Sequence, residues 1–360
     1  MATGGWWRRV ARLLLTAALL AGATPAPAAC PGAEGMRLPS GDFTWSVAVS
    51  GGLALMADGG FALRVLDVSE PAAPQEQGLV SSGDQARAVA VAGGYAYLAD
   101  GGAGLRIIDI SDPSAPWAVG RYATEQAAVG VAVSGDYAYL ATGSGGLLIL
   151  EVSNPAAPRL VSTIASQGSA QGVAVSGDYL YLADGGAGLR VFDVSIPEYP
   201  QAKGTLTSAG SCRRVLVEGS VAYLADGEGG LRLVDVSNPE SLRELGRVSS
   251  LDQSRGLAKA GDLIYLADGD GGLRVIDVSD PYSPWEVGSL PPTFSVWDVA
   301  LNGQYAYLAA GGRGLVVVDV SGCGEGVSLW WRWGEGGLWI QGSGRWSWSD
   351  GQGLAFSVSW

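Results

Sequence analysis

Apolar and polar positions between residues 87 and 128 fall into four short runs separated by turn chemistry. "RAVAVAG" from Arg87 sets Val89 and Val91 on one face, and "YAYLAD" from Tyr95 alternates in the same way. "GLRIIDIS" from Gly104 is rich in β-branched residues, and "AVGRYAT" from Ala118 is a looser fourth run. Between them stand "GG", "DGGAG" and "SDPSAP", which supply the glycine, aspartate and proline that tight turns require. No run sustains a 3.6-residue apolar period, so the segment predicts four strands, each beside its neighbour in sequence: an antiparallel meander.

The same pattern returns at a fixed step of 42 residues. "YLADGGAGLRIIDISDPSAP" from Tyr97 reappears as "YLADGDGGLRVIDVSDPYSP" from Tyr265, and further copies lie between and on either side. Seven repeats begin at Trp45, Arg87, Val129, Gln171, Arg213, Arg255 and Trp297. Four-stranded units of this length predict an all-β fold, a seven-bladed β-propeller, with the Val- and Ala-rich first strand of each blade nearest the axis. An open solenoid would need capping units, and the chain shows none.

A propeller must close its ring. The seventh repeat stops after its third strand at "VVVDVSGCG". The segment Ala33 to Thr44 aligns with the fourth run of repeat two, with Arg37 over Arg121, so the N-terminal strand is expected to complete the last blade. Cys30 and Cys323 then flank the one third-to-fourth-strand loop that the chain interrupts, and a disulfide there would replace the missing covalent link. The alternative for Cys30 is a lipid anchor: "PAAC" has small residues before the cysteine, although Pro27 stands where an aliphatic residue is usual. Cys212, in the place of Ala86, Ala128 and Ala170, reads as a small buried residue.

Outside the repeats, residues 1–29 carry Arg8, Arg9 and Arg12, then "LLLTAALLAGA" and "TPAPAA", the layout of a secretory signal peptide. The Arg8-Arg9 pair hints at twin-arginine export, with poor agreement around it. The apolar run is too short to span a bilayer, and no other stretch is long enough. The expected organisation is a leader over 1–29, the propeller over 30–324 and a separate segment over 325–360. The net charge of −13 becomes more negative without the leader, which argues against nucleic acid as a partner. The chain has no histidine, which removes His-based acid–base catalysis, Ser-His-Asp triads and His-ligated metals.

"GLRVIDVSDP", with "YLADGG" before it, resembles the LVIVD repeat of bacterial and archaeal exported and cell-surface proteins, and all seven copies between Trp45 and Val320 show it. The resemblance implies a β-propeller outside the cytoplasm. It implies no particular reaction.

Two repeated acidic series are candidates for chemistry. Asp58, Asp100, Asp184, Asp226 and Asp268 open the second-to-third-strand turns, and "DGEGG" and "DGDGG" look like oxygen-rich loops that could hold calcium. Six residues after each stands Arg64, Arg106, Arg190, Arg232 or Arg274. The two repeats with Thr142 and Ala310 in place of the aspartate also lack the arginine, having Leu148 and Val316. Joint retention and joint loss point to carboxylate–guanidinium pairs rather than metal ligands, and no cofactor is expected. The second series, Asp67, Asp109, Asp193, Asp235, Asp277 and Asp319, precedes Ser and reads as turn-forming.

Function is better sought where the repeats disagree. Their first positions include Trp45, Arg87, Arg213, Arg255 and Trp297, which a propeller would bring to one mouth of its central channel. Arginine pairs with carboxylates and tryptophan offers a flat apolar face, so the expected partner is a small anionic ligand, a glycan or a protein. The sequence therefore reads as an exported, monomeric, non-catalytic binding module. The alternatives are a propeller hydrolase or lyase, for which Asp298 is the prominent inner-strand carboxylate, and a structural surface-layer protein. The segment from Glu325 holds seven tryptophans and reads as short strands with glycine turns.

Overall fold

The computed structural model describes residues 30, 34–40, 42–60, 62–81, 83–290 and 293–323, together with four backbone strands between residues 329 and 359. The expected leader, residues 1–29, lies outside the described residues. The chain divides into two compact units, Pro31–Ser321 and the remainder.

Pro31–Ser321 forms seven four-stranded antiparallel sheets, the blades. In blade two, Ala88–Ala92, Tyr95–Ala99, Leu105–Asp109 and Trp117–Tyr122 pair in chain order, with Ala90 opposite Tyr97 and Tyr97 opposite Ile107. Second strands are buried on both faces because a neighbouring blade covers each side, and that is why they read as near-continuous apolar runs. The core lies between blades: Leu55, Leu63 and Val65 of blade one pack with Leu98, Ile108 and Ile110 of blade two. Outer strands face solvent and alternate only weakly. Gly104 shows why the turns repeat glycine. Its φ is +84°, and a Cβ there would stand 2.2 Å from the Tyr122 carbonyl oxygen.

Ring closure follows the expected strand exchange. Blade seven comprises Asp298–Asn302, Tyr305–Ala309 and Leu315–Asp319, with Glu34–Leu38 as its outer strand. Arg37 lies opposite Val316 and Leu38 opposite Leu315. The seam between blades seven and one repeats the chemistry of the others. Thr44 N–H donates to the Gly311 carbonyl at 3.0 Å, as Ala128 donates to Gly101 at 2.8 Å. Val47, Met56 and Leu66 pack there with Tyr307, Leu315 and Val317.

Cys30 and Cys323 form a disulfide with their Cα atoms 5.0 Å apart across 293 residues of sequence. In the chain-entropy account, closing so long a loop constrains the unfolded state by about 5 kcal/mol. Cys212 is fully buried among Val215, Leu224 and Val234, and burial raises its thiol pKa.

In the second unit, Leu329–Trp333, Gly336–Gln341, Arg345–Ser349 and Ala355–Ser359 pair in chain order as a four-stranded meander. No helix among the described residues is long and apolar enough to cross a membrane.

Candidate functional site

The repeated aspartates are structural, and their arrangement does more than pair a hairpin. Each is buried. Arg64, Arg106, Arg190, Arg232 and Arg274 reach Asp58, Asp100, Asp184, Asp226 and Asp268 at 3.4, 3.3, 3.0, 3.0 and 3.2 Å. The same guanidiniums donate backwards to the preceding blade. Arg190 reaches the Ala165 carbonyl at 2.8 Å and Arg232 the Thr207 carbonyl at 2.9 Å. The carboxylates accept from that connection too, as Asp184 does from Gln167 N–H at 2.8 Å and Asp226 from Ala209 N–H at 2.9 Å. Each pair therefore clamps its blade to the one before. Donors converge on these carboxylates: Ser208 and Ala209 N–H on Asp226, Ser250 and Leu251 N–H on Asp268. That is the wiring of a buried anion already satisfied by protein, not of an oxygen cage for calcium.

The second series makes Asx turns. Ser111 N–H donates to Asp109 at 2.8 Å and Ser321 N–H to Asp319 at 2.8 Å. Hydrogen bonds from the following serine hold the carboxyls of Asp67, Asp109, Asp193, Asp235 and Asp319 below the usual aspartate range.

The variable first positions meet at one mouth of the channel. Trp45, Arg87, Val129, Gln171, Arg213, Arg255 and Trp297 line a cavity of about 160 Å³. Arg87, Val129, Gln171, Arg213, Arg255 and Trp297 each stand at the start of an inner strand, where the N–H is already bonded to the second strand; Arg213 N–H, for example, donates to Ala225 O at 2.9 Å. The backbone is thereby fixed and only the side chain is left to face the axis. Small residues just inside make the crowding possible. A Cβ on Gly172 would lie 2.5 Å from the Arg213 carbonyl oxygen.

Trp45 and Trp297 do not offer open faces. They meet edge to face at 4.7 Å, and Phe43 packs on both. The Arg87 guanidinium lies 4.2 Å over Trp45, and that of Arg255 lies 3.8 Å over Trp297. The tryptophans thus seal the seam and carry arginines. Arg213 donates to Gln253 at 3.0 Å. Among the described residues, none of Arg87, Arg213 and Arg255 forms an ion pair. Arg213 Nε, Arg255 Nε and Trp297 Nε1 are buried donors without a hydrogen-bond partner. Burial lowers the Arg255 pKa, and the neighbouring Arg213 charge lowers it further; burial does the same to Arg87. Asp252, Asp270 and Asp84 offset this only from a distance.

Asp298, the inner-strand carboxylate, is held by neighbouring side chains. It is buried and forms an ion pair with Arg214 across the channel. Ser46 donates to it at 2.7 Å and Val299 N–H at 3.0 Å. The cluster joins blades one, five and seven, and its Arg214 lines the same cavity as the three arginines. The sequence held no sign of the pairing of Arg214 with Asp298, because they lie 84 residues apart. Among the described residues, no group of three or more His, Cys, Asp or Glu could hold a metal ion.

Comparison with known families matches the LVIVD repeat seven times, over residues 41–81, 83–124, 127–165, 167–208, 209–250, 253–291 and 295–323. The chain belongs to the LVIVD-repeat family. No curated protein matches this LVIVD-repeat chain in sequence. In fold it is similar to the crystal structure of RRP9 WD40 repeats, with a TM-score of 0.67, 13% identity, and coverage of 81% of this chain and 98% of that one. The structure of U3-55K is equally similar, with a TM-score of 0.67, 13% identity, and coverage of 81% and 99%. A computationally designed protein matches with a TM-score of 0.57 and 10% identity over 80% of this chain and all of that one. These likenesses establish the propeller fold. They leave the contents of the LVIVD channel mouth to be read from its own residues.

Proposed function

We propose that this LVIVD-repeat protein is an exported, non-catalytic binding module that takes a small anionic ligand, a carboxylate, in the channel mouth. One observation carries the reading: three arginines from three blades converge on one cavity, and among the described residues none of them forms an ion pair. A protein of net charge −13 that concentrates unpaired cations at one point stores electrostatic repulsion, which an anion would relieve. Arginine suits a planar carboxylate because its fork of donors matches two oxygens. The cavity of about 160 Å³ holds the volume of about five waters at roughly 30 Å³ each, enough for a carboxylate and a compact body. With the tryptophan faces covered by guanidiniums, charge rather than sugar stacking governs selection. Export rests on the charged and apolar leader pattern, and a disulfide fits an oxidising compartment.

The test is calorimetric titration with glucuronate, tricarballylate and neutral glucose. The acids should bind saturably and glucose should not. Arg213→Ala with Arg255→Ala should fold normally and weaken binding about 100-fold, the loss expected for two charge-assisted hydrogen bonds. Equal binding of glucose, or unchanged affinity of the double variant, would count against the reading.

A further inference from the structure

The repeats can be used as templates for one another, and blade two then shows a place where a carboxylate is missing. In blades one, five and six, the guanidinium that clamps the buried aspartate has its outer edge bonded to a glutamate on the outer strand. Arg64 Nε donates to Glu76 at 2.7 Å, Arg232 Nε to Glu244 at 2.8 Å, and Arg274 Nε to Glu286 at 2.9 Å. The register is the same each time: Glu76 lies opposite Leu66, Glu244 opposite Val234 and Glu286 opposite Ile276. In blade two the position opposite Ile108 is Ala118.

The consequence is a pair of cations that shares one carboxylate: Arg106 is paired with Asp100, and among the described residues Arg121 forms no ion pair. Arg106 uses one nitrogen for Asp100 and the Ser81 carbonyl, as its counterparts do. Its outer edge has no acceptor among the described residues. Arg121 stands directly opposite on the outer strand, so two like charges face each other across one rung. Blade five has the same rung, Arg232 opposite Arg247, but there Glu244 sits on the guanidinium. Blade four also lacks the glutamate, yet Thr205 faces its arginine and Phe192 packs 4.9 Å from the guanidinium. Among the described residues, only blade two combines two facing arginines, no glutamate and open space. A cavity of about 510 Å³ lies there, walled by Gly83, Ala103, Ala118 and Ala156 around Arg106 and Arg121.

We infer that the flank of blade two binds a small organic carboxylate, whose oxygens occupy the place that a glutamate side chain occupies in blades one, five and six. The ligand carboxylate accepts from the outer edge of Arg106 and from Arg121, and the small wall residues accommodate its carbon body. The site shares no residue with the channel mouth and stands whether or not the mouth binds anions.

The repeats also supply the test. Ala118→Glu installs the internal carboxylate that three blades already carry, so the variant should fold and occupy its own site. Glutarate is titrated at constant ionic strength while the Nε–Hε resonances of Arg106 and the mouth arginines are followed by NMR, with neutral glutaramide as control. Glutarate should shift Arg106 saturably and glutaramide should not. Ala118→Glu should abolish the Arg106 response while leaving any response of Arg213 and Arg255 unchanged. Arg121→Gln should weaken the Arg106 response at least about tenfold, the effect of one charge-assisted hydrogen bond. An Arg106 response that persists in Ala118→Glu, equals that to glutaramide, or fails to appear with glutarate would overturn the site.

Discussion

Blade four offers the cleanest test of the inter-blade clamp, because Arg190 has no outer glutamate to share its charge. The perturbation is Arg190→Leu, compared with Asp184→Thr plus Arg190→Leu, the combination that blade three carries naturally as Thr142 and Leu148. Asp184 is fully buried and Arg190 is 3.0 Å away with a side-chain exposure of 10%. Removing the arginine alone leaves a buried carboxylate with its remaining donors, Ser166 and Gln167 N–H. Breaking a buried pair from one side costs about 3–5 kcal/mol, and those two donors put this case near 3 kcal/mol. Removing both partners eliminates the stranded charge. In blade three the Thr142 hydroxyl satisfies itself on the Gly146 carbonyl at 2.9 Å, and the hydroxyl introduced by Asp184→Thr would have the Gly188 carbonyl in the same place. What remains is the loss of hydrogen bonds to the connection from blade three, about 1–2 kcal/mol.

The double variant should therefore be more stable than Arg190→Leu alone. Near this chain length 1 kcal/mol moves the melting temperature by roughly 2 °C, so the single change should lower it by about 6 °C and the double by about 3 °C. Thermal melts followed by circular dichroism at fixed salt, with Asp184→Thr completing the cycle, measure the coupling directly. If the double variant falls to the sum of the two single losses, the groups are independent and the clamp reading is wrong.

The other expectations can be checked with the same melts. Cys323→Ser should lower stability by about 5 kcal/mol while leaving the inter-blade cores folded at low temperature, and a Cys30–Cys323 cross-linked peptide should be seen by mass spectrometry of the native protein. Gly104→Ala should cost several degrees, since φ is +84° and the new Cβ would meet the Tyr122 carbonyl, whereas Ala103→Gly should not. The turn carboxyls of Asp67, Asp109, Asp193, Asp235 and Asp319 have lowered folded pKa values, so their stabilisation is present above the unfolded value of about 3.9 and is lost as pH falls through the folded values. Melting temperature should accordingly drop on acidification below about pH 4, and Asp109→Asn should make that drop shallower by one titrating group.

Much of the scaffold was legible because it repeats. The step of 42 residues, the strand pattern and the turn residues are local signals, and each is written seven times. Strand exchange at the seam was also legible, since Arg37 aligned with Arg121 and now faces Val316 where Arg121 faces Arg106. The backward reach of the clamps was not legible. Their partners in the preceding blade are backbone groups such as the Ala165 carbonyl and Gln167 N–H, which carry no residue-type signal. Nor could sequence show that Arg87 and Arg255 cover the tryptophan faces, because that depends on side-chain direction around the ring. The Arg214–Asp298–Ser46 cluster joins three blades through residues that appear only once each at their repeat position.

The Arg214–Asp298 ion pair sets the other mouth arginines in contrast. Arg214 and Arg213 are neighbours in sequence, yet one is neutralised by Asp298 and the other keeps a buried Nε without a partner. A second carboxylate in this cavity would offset the repulsion between Arg213 and Arg255. The acidic side chains near the mouth are turned to other work: Asp84 accepts from Gly102 N–H at 2.7 Å and Asp252 from Asp270 N–H at 2.9 Å. Their charges hold turns in place just outside the cavity and leave the guanidiniums unpaired within it. The mouth thus sets one ion-paired arginine, Arg214, beside three that form no ion pair among the described residues. If the mouth takes an anion as proposed, its arginines already stand on strand starts fixed by backbone hydrogen bonds, so little backbone reorganisation would oppose binding.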